Sequence, residues 1–173
     1  MNTNIFNQIE KNATKDNYLN EIAVTQISPS NKIKKISYSA LFRLSEKTSL
    51  ALLELGIKKN DKVYISIKSS IEFIAVFLGC LKSGVIPIPG NPELSNDQTN
   101  HILNNSTPTL IITDTKINCK NLNFDHRYFS HMQWNKITNK VKPNDIKTCM
   151  SNINDVAFNI FFRNNRFTKS NYA

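Results

Sequence analysis

The chain has 173 residues, 40% of them hydrophobic and 20% charged, which suffices for one globular domain with a sizeable core and is short for two. Its formal net charge is +9, yet only four of the 22 basic residues are arginine and the lysines are scattered, so the excess does not point to specific nucleic-acid binding. No apolar run reaches the roughly 18 residues of a membrane span, and the first residues lack the basic-then-apolar order of a signal peptide, so a soluble cytoplasmic protein is expected.

Lysine, asparagine and isoleucine are all abundant and have A- and T-rich codons, so the basic balance can reflect an AT-rich genome as easily as selection for charge. Cys80, Cys119 and Cys149 are an odd number at wide spacing, which suits a reducing compartment and argues against a disulfide framework or a zinc site.

Residues 5–18 read as a short, loosely docked helix. Residues 22–28 and 33–38 flank the turn Pro29-Ser30-Asn31-Lys32 and predict a hairpin. The period then becomes helical: Leu41, Leu44, Thr48, Ala51, Leu52 and Leu55 share one face, Ser39 is the expected N-cap and Gly56 the stop. After the turn Lys58-Lys59-Asn60-Asp61, Val63, Ile65 and Ile67 alternate with Tyr64 and Ser66 as a strand.

The stretch from Ser69 to Pro92 organises the rest. Ile71, Ile74, Ala75, Leu78 and Leu81 recur at helical spacing, and Phe73 and Phe77 widen the stripe until little polar face remains, so the helix is packed on most sides. Gly79 costs about 1 kcal/mol of helix propensity relative to alanine and therefore marks a close approach by a neighbour. Gly84 is the helix stop, and Val85-Ile86-Pro87-Ile88-Pro89 is extended because each proline pushes its predecessor out of the helical region.

Past Gly90-Asn91-Pro92, Ser95-Asn96-Asp97 caps a polar helix that hands over at Pro108 to the apolar run Leu110-Ile111-Ile112. Residues 114–153 read as irregular and polar, with Trp134, Phe124, Tyr128 and Phe129 available to pin them to the body, and residues 155–162 form a final strand. The repeated alternation of helix and strand predicts an α/β domain, a largely parallel sheet with flanking helices.

The segments from residue 36 to 114 resemble the N-terminal part of the adenylate-forming acyl ligases. That superfamily includes acyl-CoA synthetases, fatty acyl-AMP ligases, luciferases and peptide-synthetase adenylation domains. The resemblance rests on Ser37-Tyr38 before the Leu41 helix, Leu55-Gly56-Ile57 with Asp61-Lys62-Val63, and Glu72-Phe73 through Gly79 and Gly84. It continues in Pro89-Gly90-Asn91-Pro92, Leu110-Ile111-Ile112-Thr113-Asp114 and Asp155-Val156-Ala157. Relatives usually place glycine before the equivalent of Asp61; Asn60 stands there, the next best tolerated residue at positive φ.

The resemblance implies a partial N-terminal subdomain of the adenylate-forming ligase fold, divided here as an N-terminal helix and first strand (1–30), the partial domain (31–162) and a tail (163–173). It implies that intact relatives activate a carboxylic or fatty acid with ATP and magnesium to an acyl-adenylate, and pass the acyl group to coenzyme A or a carrier thiol. Such relatives carry a loop of the type SGTTGxPK directly after the strand matching residues 155–162, offering phosphates many donors without bulk. Here Arg163-Asn164-Asn165-Arg166-Phe167-Thr168-Lys169-Ser170 follows, and no glycine lies beyond Gly90.

Permitted codons for the tail, preceded by the TTC that can encode Phe162, can be regrouped from the last two letters of that TTC to read SGTTGLPKAIM. The expectation is therefore a shift of reading frame near residues 159–162 that leaves the tail out of frame and the chain truncated and inactive alone. Asn164, Asn165 and Lys169 inherit no loop role, and no catalytic, cofactor-binding or metal-binding residue is assigned.

His101, His126 and His131 show no metal-ligand spacing with the cysteines or with paired carboxylates. Nothing recommends Cys119 and His126 as a nucleophilic pair, and Glu72 suits a cap or structural salt bridge better than acid–base work. The competing expectation is a non-catalytic module that docks on an intact paralogous ligase, a chaperone or an anionic partner, since missing later parts of a fold would leave strand edges and apolar surface open.

Overall fold

The computed structural model describes residues 4–119, 122–142, 149, 155–160 and 170–171. Helix α1 (Ile5–Lys15) is followed by a 3-10 turn at Tyr18–Asn20 and by the antiparallel hairpin β1 (Ile22–Ile27) and β2 (Ile33–Ser37). The short first helix is held more firmly than its polar sequence suggests. Phe6 is fully buried, Asn4 caps the helix and donates from Nδ2 to the carbonyl of Leu81 at 2.7 Å, and Lys82 lies 4.8 Å from the centre of the Phe6 ring. One aromatic anchor and one buried side-chain hydrogen bond outweigh the polar exit, because both ends of the contact are withdrawn from water.

Helix α2 (Tyr38–Glu54) begins two residues earlier than a cap at Ser39 would place it. Its N-cap is Ser37, whose hydroxyl accepts from the amide of Ala40, while Ser39 sits inside the helix and bonds Ser37. Strand β3 (Lys62–Ser66) forms where the alternation placed a strand and is buried along nearly its whole length, Tyr64 and Ser66 included. It is covered on both sides, as in parallel sheets.

Helix α3 (Ile71–Ser83) is capped by Ser70 and stopped by Gly84 at φ 73°, and β4 (Ile86–Pro89) follows directly. Asn60 adopts φ 69°, and its amide donates to the carbonyl of Gly84 at 2.9 Å, so the positive-φ expectation holds. Helix α4 (Asn96–Ser106) carries a full capping box between Ser95 and Gln98, and β5 (Leu110–Thr113) is buried throughout.

The segment 114–153 is not wholly irregular: it contains β6 (Arg127–Ser130) and α5 (His131–Lys140). A Ser130–Gln133 capping box starts α5, and Trp134 on it is 1% exposed and packs against the core as its aromatic character suggested. The final strand shortens to β7 (Asn159–Ile160), paired with β8 (Ser170–Asn171); residues 161–162 lie outside the described residues.

Strands β3 to β6 form one parallel sheet in the order β4-β3-β5-β6. One face packs Val63, Ile65, Leu110 and Ile112 against Leu52 of α2, Val76 and Cys80 of α3 and Trp134 of α5. The opposite face packs Tyr64, Ile88 and Ile111 against Ile102 and Leu103 of α4. A further apolar layer joins Phe6 to Leu41, Phe42, Ala75 and Leu78 behind α2 and α3. The α/β expectation of a largely parallel sheet with flanking helices is met.

Candidate functional site

Within the sheet, the chain leaves β3 toward β4 on one side and leaves the adjacent β5 toward β6 on the other. Loops that part in opposite directions open a crevice beyond the carboxyl ends of the two strands, the usual place for ligands in open α/β sheets. A crevice of about 860 Å³ lies there, lined by Lys68 and Ser69 after β3, Gly90 to Glu93 after β4, and Thr115 after β5.

Asp114 braces this crevice. Its Oδ2 accepts from the Lys68 amide at 2.7 Å, its Oδ1 lies 3.0 Å from Nδ1 of His131, and its own amide donates to Ser66. His131 Nε2 lies 3.2 Å from Asn135 Nδ2, an arrangement that works when Nδ1 carries a proton toward the carboxylate and Nε2 accepts. One carboxylate thus ties the loops of three strands. Spacing alone gives His131 no role; the signal that places it is Ser130 followed by Gln133, a capping-box spacing that starts a helix there and carries His131 toward Asp114.

The crevice can hold and orient a group through exposed Lys68, Ser69 and Asn91, but among the described residues neither histidine nor cysteine lines it. Nor do its residues form a triphosphate cradle. A Cβ on Gly90 would lie 2.2 Å from the Tyr64 hydroxyl oxygen, so that glycine makes room for a buried ring rather than for a phosphate. Among the described residues no group of three His, Cys, Asp or Glu side chains could hold a metal ion. The tail expected to replace the phosphate loop, with Asn164, Asn165 and Lys169, lies outside the described residues except for the backbone of 170–171.

The remaining candidates are not drawn together. Cys119 hydrogen-bonds the carbonyl of Ile117, while His126 Nδ1 lies 2.9 Å from the carbonyl of Phe124 and its ring packs on Phe124. Burial pushes both the Cys119 and the Cys80 thiols up, away from the nucleophilic thiolate. Glu72 forms an ion pair with Lys34 at 3.0 Å. Burial alone would raise its pKa, but a hydrogen bond from its own amide and the Lys34 ammonium outweigh that and hold it below the usual carboxylate value. It is a structural salt bridge.

Residues 9–160 match the AMP-binding enzyme family. A crotonobetaine/carnitine–CoA ligase of Escherichia coli O127:H6 is 32% identical over 101 residues, which is 58% of this chain and 20% of the relative. The same ligase of Salmonella arizonae is 31% identical over 96 residues, covering 56% of this chain and 19% of the relative. The chain thus spans about a fifth of the length of the curated relatives it matches. A fatty acyl CoA synthetase of Mycobacterium tuberculosis shares the fold with a TM-score of 0.79 at 18% identity, over 98% of this chain and 34% of that one. An acyl-CoA synthetase of Brucella canis does so with a TM-score of 0.79 at 16% identity, over 90% of this chain and 31% of that one. No helix among the described residues is long and apolar enough to cross a membrane.

Proposed function

The chain belongs to the AMP-binding enzyme family, and from that premise we propose that it is the N-terminal piece of a cytoplasmic acyl-CoA or acyl-AMP ligase, parted from its phosphate loop by a reading-frame shift. On this reading the intact gene product activates a carboxylic acid, of the fatty-acid class or a short polar one, with ATP and magnesium, and hands it to a thiol such as coenzyme A. The 173-residue chain supplies scaffold and does not adenylate by itself.

The observation that carries the reading is where the likeness stops. The family match ends at residue 160, three residues before an Arg-Asn tail whose permitted codons spell SGTTGLPKAIM in another frame. Sequencing the gene tests it directly. The expected result is a loop-encoding frame that starts within the codon for Phe162, continued by several hundred family codons, a length implied by the share of the relatives left unmatched. DNA that encodes nothing of the family downstream would overturn it. Restoring the frame should yield ATP–pyrophosphate exchange with a carboxylic acid, while the 173-residue chain should show none; exchange by the short chain would equally overturn the reading.

A second reading is favoured by one surface feature. Ile27 and Ile33, paired across the tip of the β1–β2 hairpin, are 65% and 63% exposed. Such a patch suits a non-catalytic module docking on an intact paralogous ligase or a chaperone. Sedimentation of the purified chain as a monomer, unchanged when the paralogue is added, would remove this alternative.

A further inference from the structure

The β1–β2 hairpin has a covered face and a bare one, and its register tells them apart. Residues directly opposite in an antiparallel pair project to the same side. The pairs Val24–Ile36 and Gln26–Lys34 turn inward: Val24 and Ile36 pack with the layer behind α2 and α3, Gln26 Oε1 accepts from the Ile71 amide, and Lys34 meets Glu72. The register shift between Ile22 and Val24 lets Ala23 pack there too. The pairs Ile22–Ser37, Thr25–Lys35 and Ile27–Ile33 therefore turn outward, and Ile22, Ile27 and Ile33 are 54%, 65% and 63% exposed. Single exposed apolar residues are ordinary, but three on one face of a two-stranded sheet make a patch.

Charge selects what the patch meets. From Ile22 to Ser37 there are three lysines and no acidic residue, and Glu21 lies at the base of the hairpin, away from its tip. Glu72 takes up Lys34, whereas Lys32 at the tip and Lys35 on the bare face are exposed and form no ion pair among the described residues. We propose that this face docks on the surface of an anionic lipid bilayer, with Ile27 and Ile33 entering the boundary between headgroups and acyl chains and Lys32 and Lys35 lying among the anionic headgroups. Apolar side chains and cations together supply the two signals that surface binding needs, since either alone is weak. Residues 29–35 are exposed without interruption, so the tip stands clear of the body and can enter a soft surface. A second copy of the chain is a poorer occupant, because it would bring the same lysines against these with no carboxylate between them. The binding requires neither the phosphate loop nor ligase activity, so it stands or falls separately from the proposed function.

The net charge of +9 by itself draws the chain to anionic vesicles, so the isoleucines carry the test. The full 173-residue protein is co-sedimented with vesicles of equal parts phosphatidylserine and phosphatidylcholine, and with phosphatidylcholine alone. Binding to the anionic vesicles is expected, weaker by about tenfold or more on the neutral ones. Ile27→Thr with Ile33→Thr keeps the β-branched shape and every charge, and should weaken anionic-vesicle binding by about tenfold or more. Lys32→Gln with Lys35→Gln should cost about as much, near fivefold for each lysine. Lys58→Gln with Lys116→Gln, the same loss of charge outside the hairpin, should cost no more than about threefold. All four hairpin side chains are exposed, so their replacement spares the core, and circular dichroism checks each variant. Unchanged binding by the folded isoleucine variant would reduce the attraction to net charge and overturn the proposal. So would equal losses in the two lysine pairs. A chain that ignores anionic vesicles, and pairs through this face with itself or with a protein instead, would overturn it as well.

Discussion

Gly79 of α3 lies directly against Thr48 of α2: a Cβ at Gly79 would stand 2.5 Å from the Thr48 Cβ and 2.6 Å from the Ser45 carbonyl oxygen. The backbone oxygen cannot rotate away, so an added methyl must drive the two helices apart. Gly79→Ala gains about 1 kcal/mol of helix propensity, but overpacking a close core contact costs about 1–3 kcal/mol. The expected outcome is net destabilisation, read as a lower urea midpoint with an unchanged slope. An equal or higher midpoint would show that the helices have slack at this crossing.

The same logic is sharper at Gly90, where the neighbour is an aromatic ring. A Cβ there would lie 2.2, 2.3 and 2.6 Å from three atoms of Tyr64, which is fully buried between α4 and the sheet. Neither the ring nor the strand that carries it can yield without opening the core. Gly90→Ala should therefore destabilise by at least the upper part of the roughly 1–3 kcal/mol range for overpacking. It should also perturb the loop 89–93 that lines the crevice, visible as amide shifts localised there. A variant as stable as wild type would contradict the packing described.

Much of this was legible in the residues because local and global signals agree. Gly79 in an apolar helix announced a close approach, Gly84 and Asn60 announced positive φ, and Ser95-Asn96-Asp97 announced a cap. What escaped was decided over long sequence separations. Asp114 reads as the polar end of a strand, and only folding brings His131 to it from 17 residues away. The strand β6 was hidden because RYFS is short, flanked by polar residues and only partly buried, and edge strands need no continuous apolar run. Phe6 could not declare its burial, since the surface that covers it belongs to α2 and α3.

Asp114 also gives the crevice a testable hinge. Its carboxylate holds the Lys68 amide and His131 at once. Hydrogen bonds to a charged acceptor contribute about 1.5–3 kcal/mol each when partly shielded, less where water reaches them. Asp114→Ala should lower stability modestly and, more specifically, speed hydrogen exchange at Lys68 by tenfold or more while leaving α2 and α3 protected. Uniformly faster exchange would mean that the residue supports the whole fold rather than the crevice. Asp114→Asn, which keeps an acceptor but not the charge, should fall between the two.

Alkali provides a test of the core itself. Burial pushes the Cys80 thiol well above its ordinary value of 9.0, and burial is likewise the main cause that raises Tyr64 above 10.0. A group whose folded pKa is raised contributes stability that is complete below the unfolded pKa and is lost as pH rises toward the folded one. The unfolded thiol therefore begins to drain stability near pH 9.0, by about 1.4 kcal/mol for each further pH unit, and Tyr64 adds to the slope above 10.0. The melting temperature should be nearly flat from pH 7 to 8.5 and fall steeply from 9 to 10.5. Cys80→Ala should lower the plateau through lost packing yet flatten the fall between pH 9 and 10, because its unfolded chain has one thiolate fewer to gain. Parallel curves for the two proteins would show that Cys80 ionises as easily folded as unfolded, and that the space between α3 and β3 admits water.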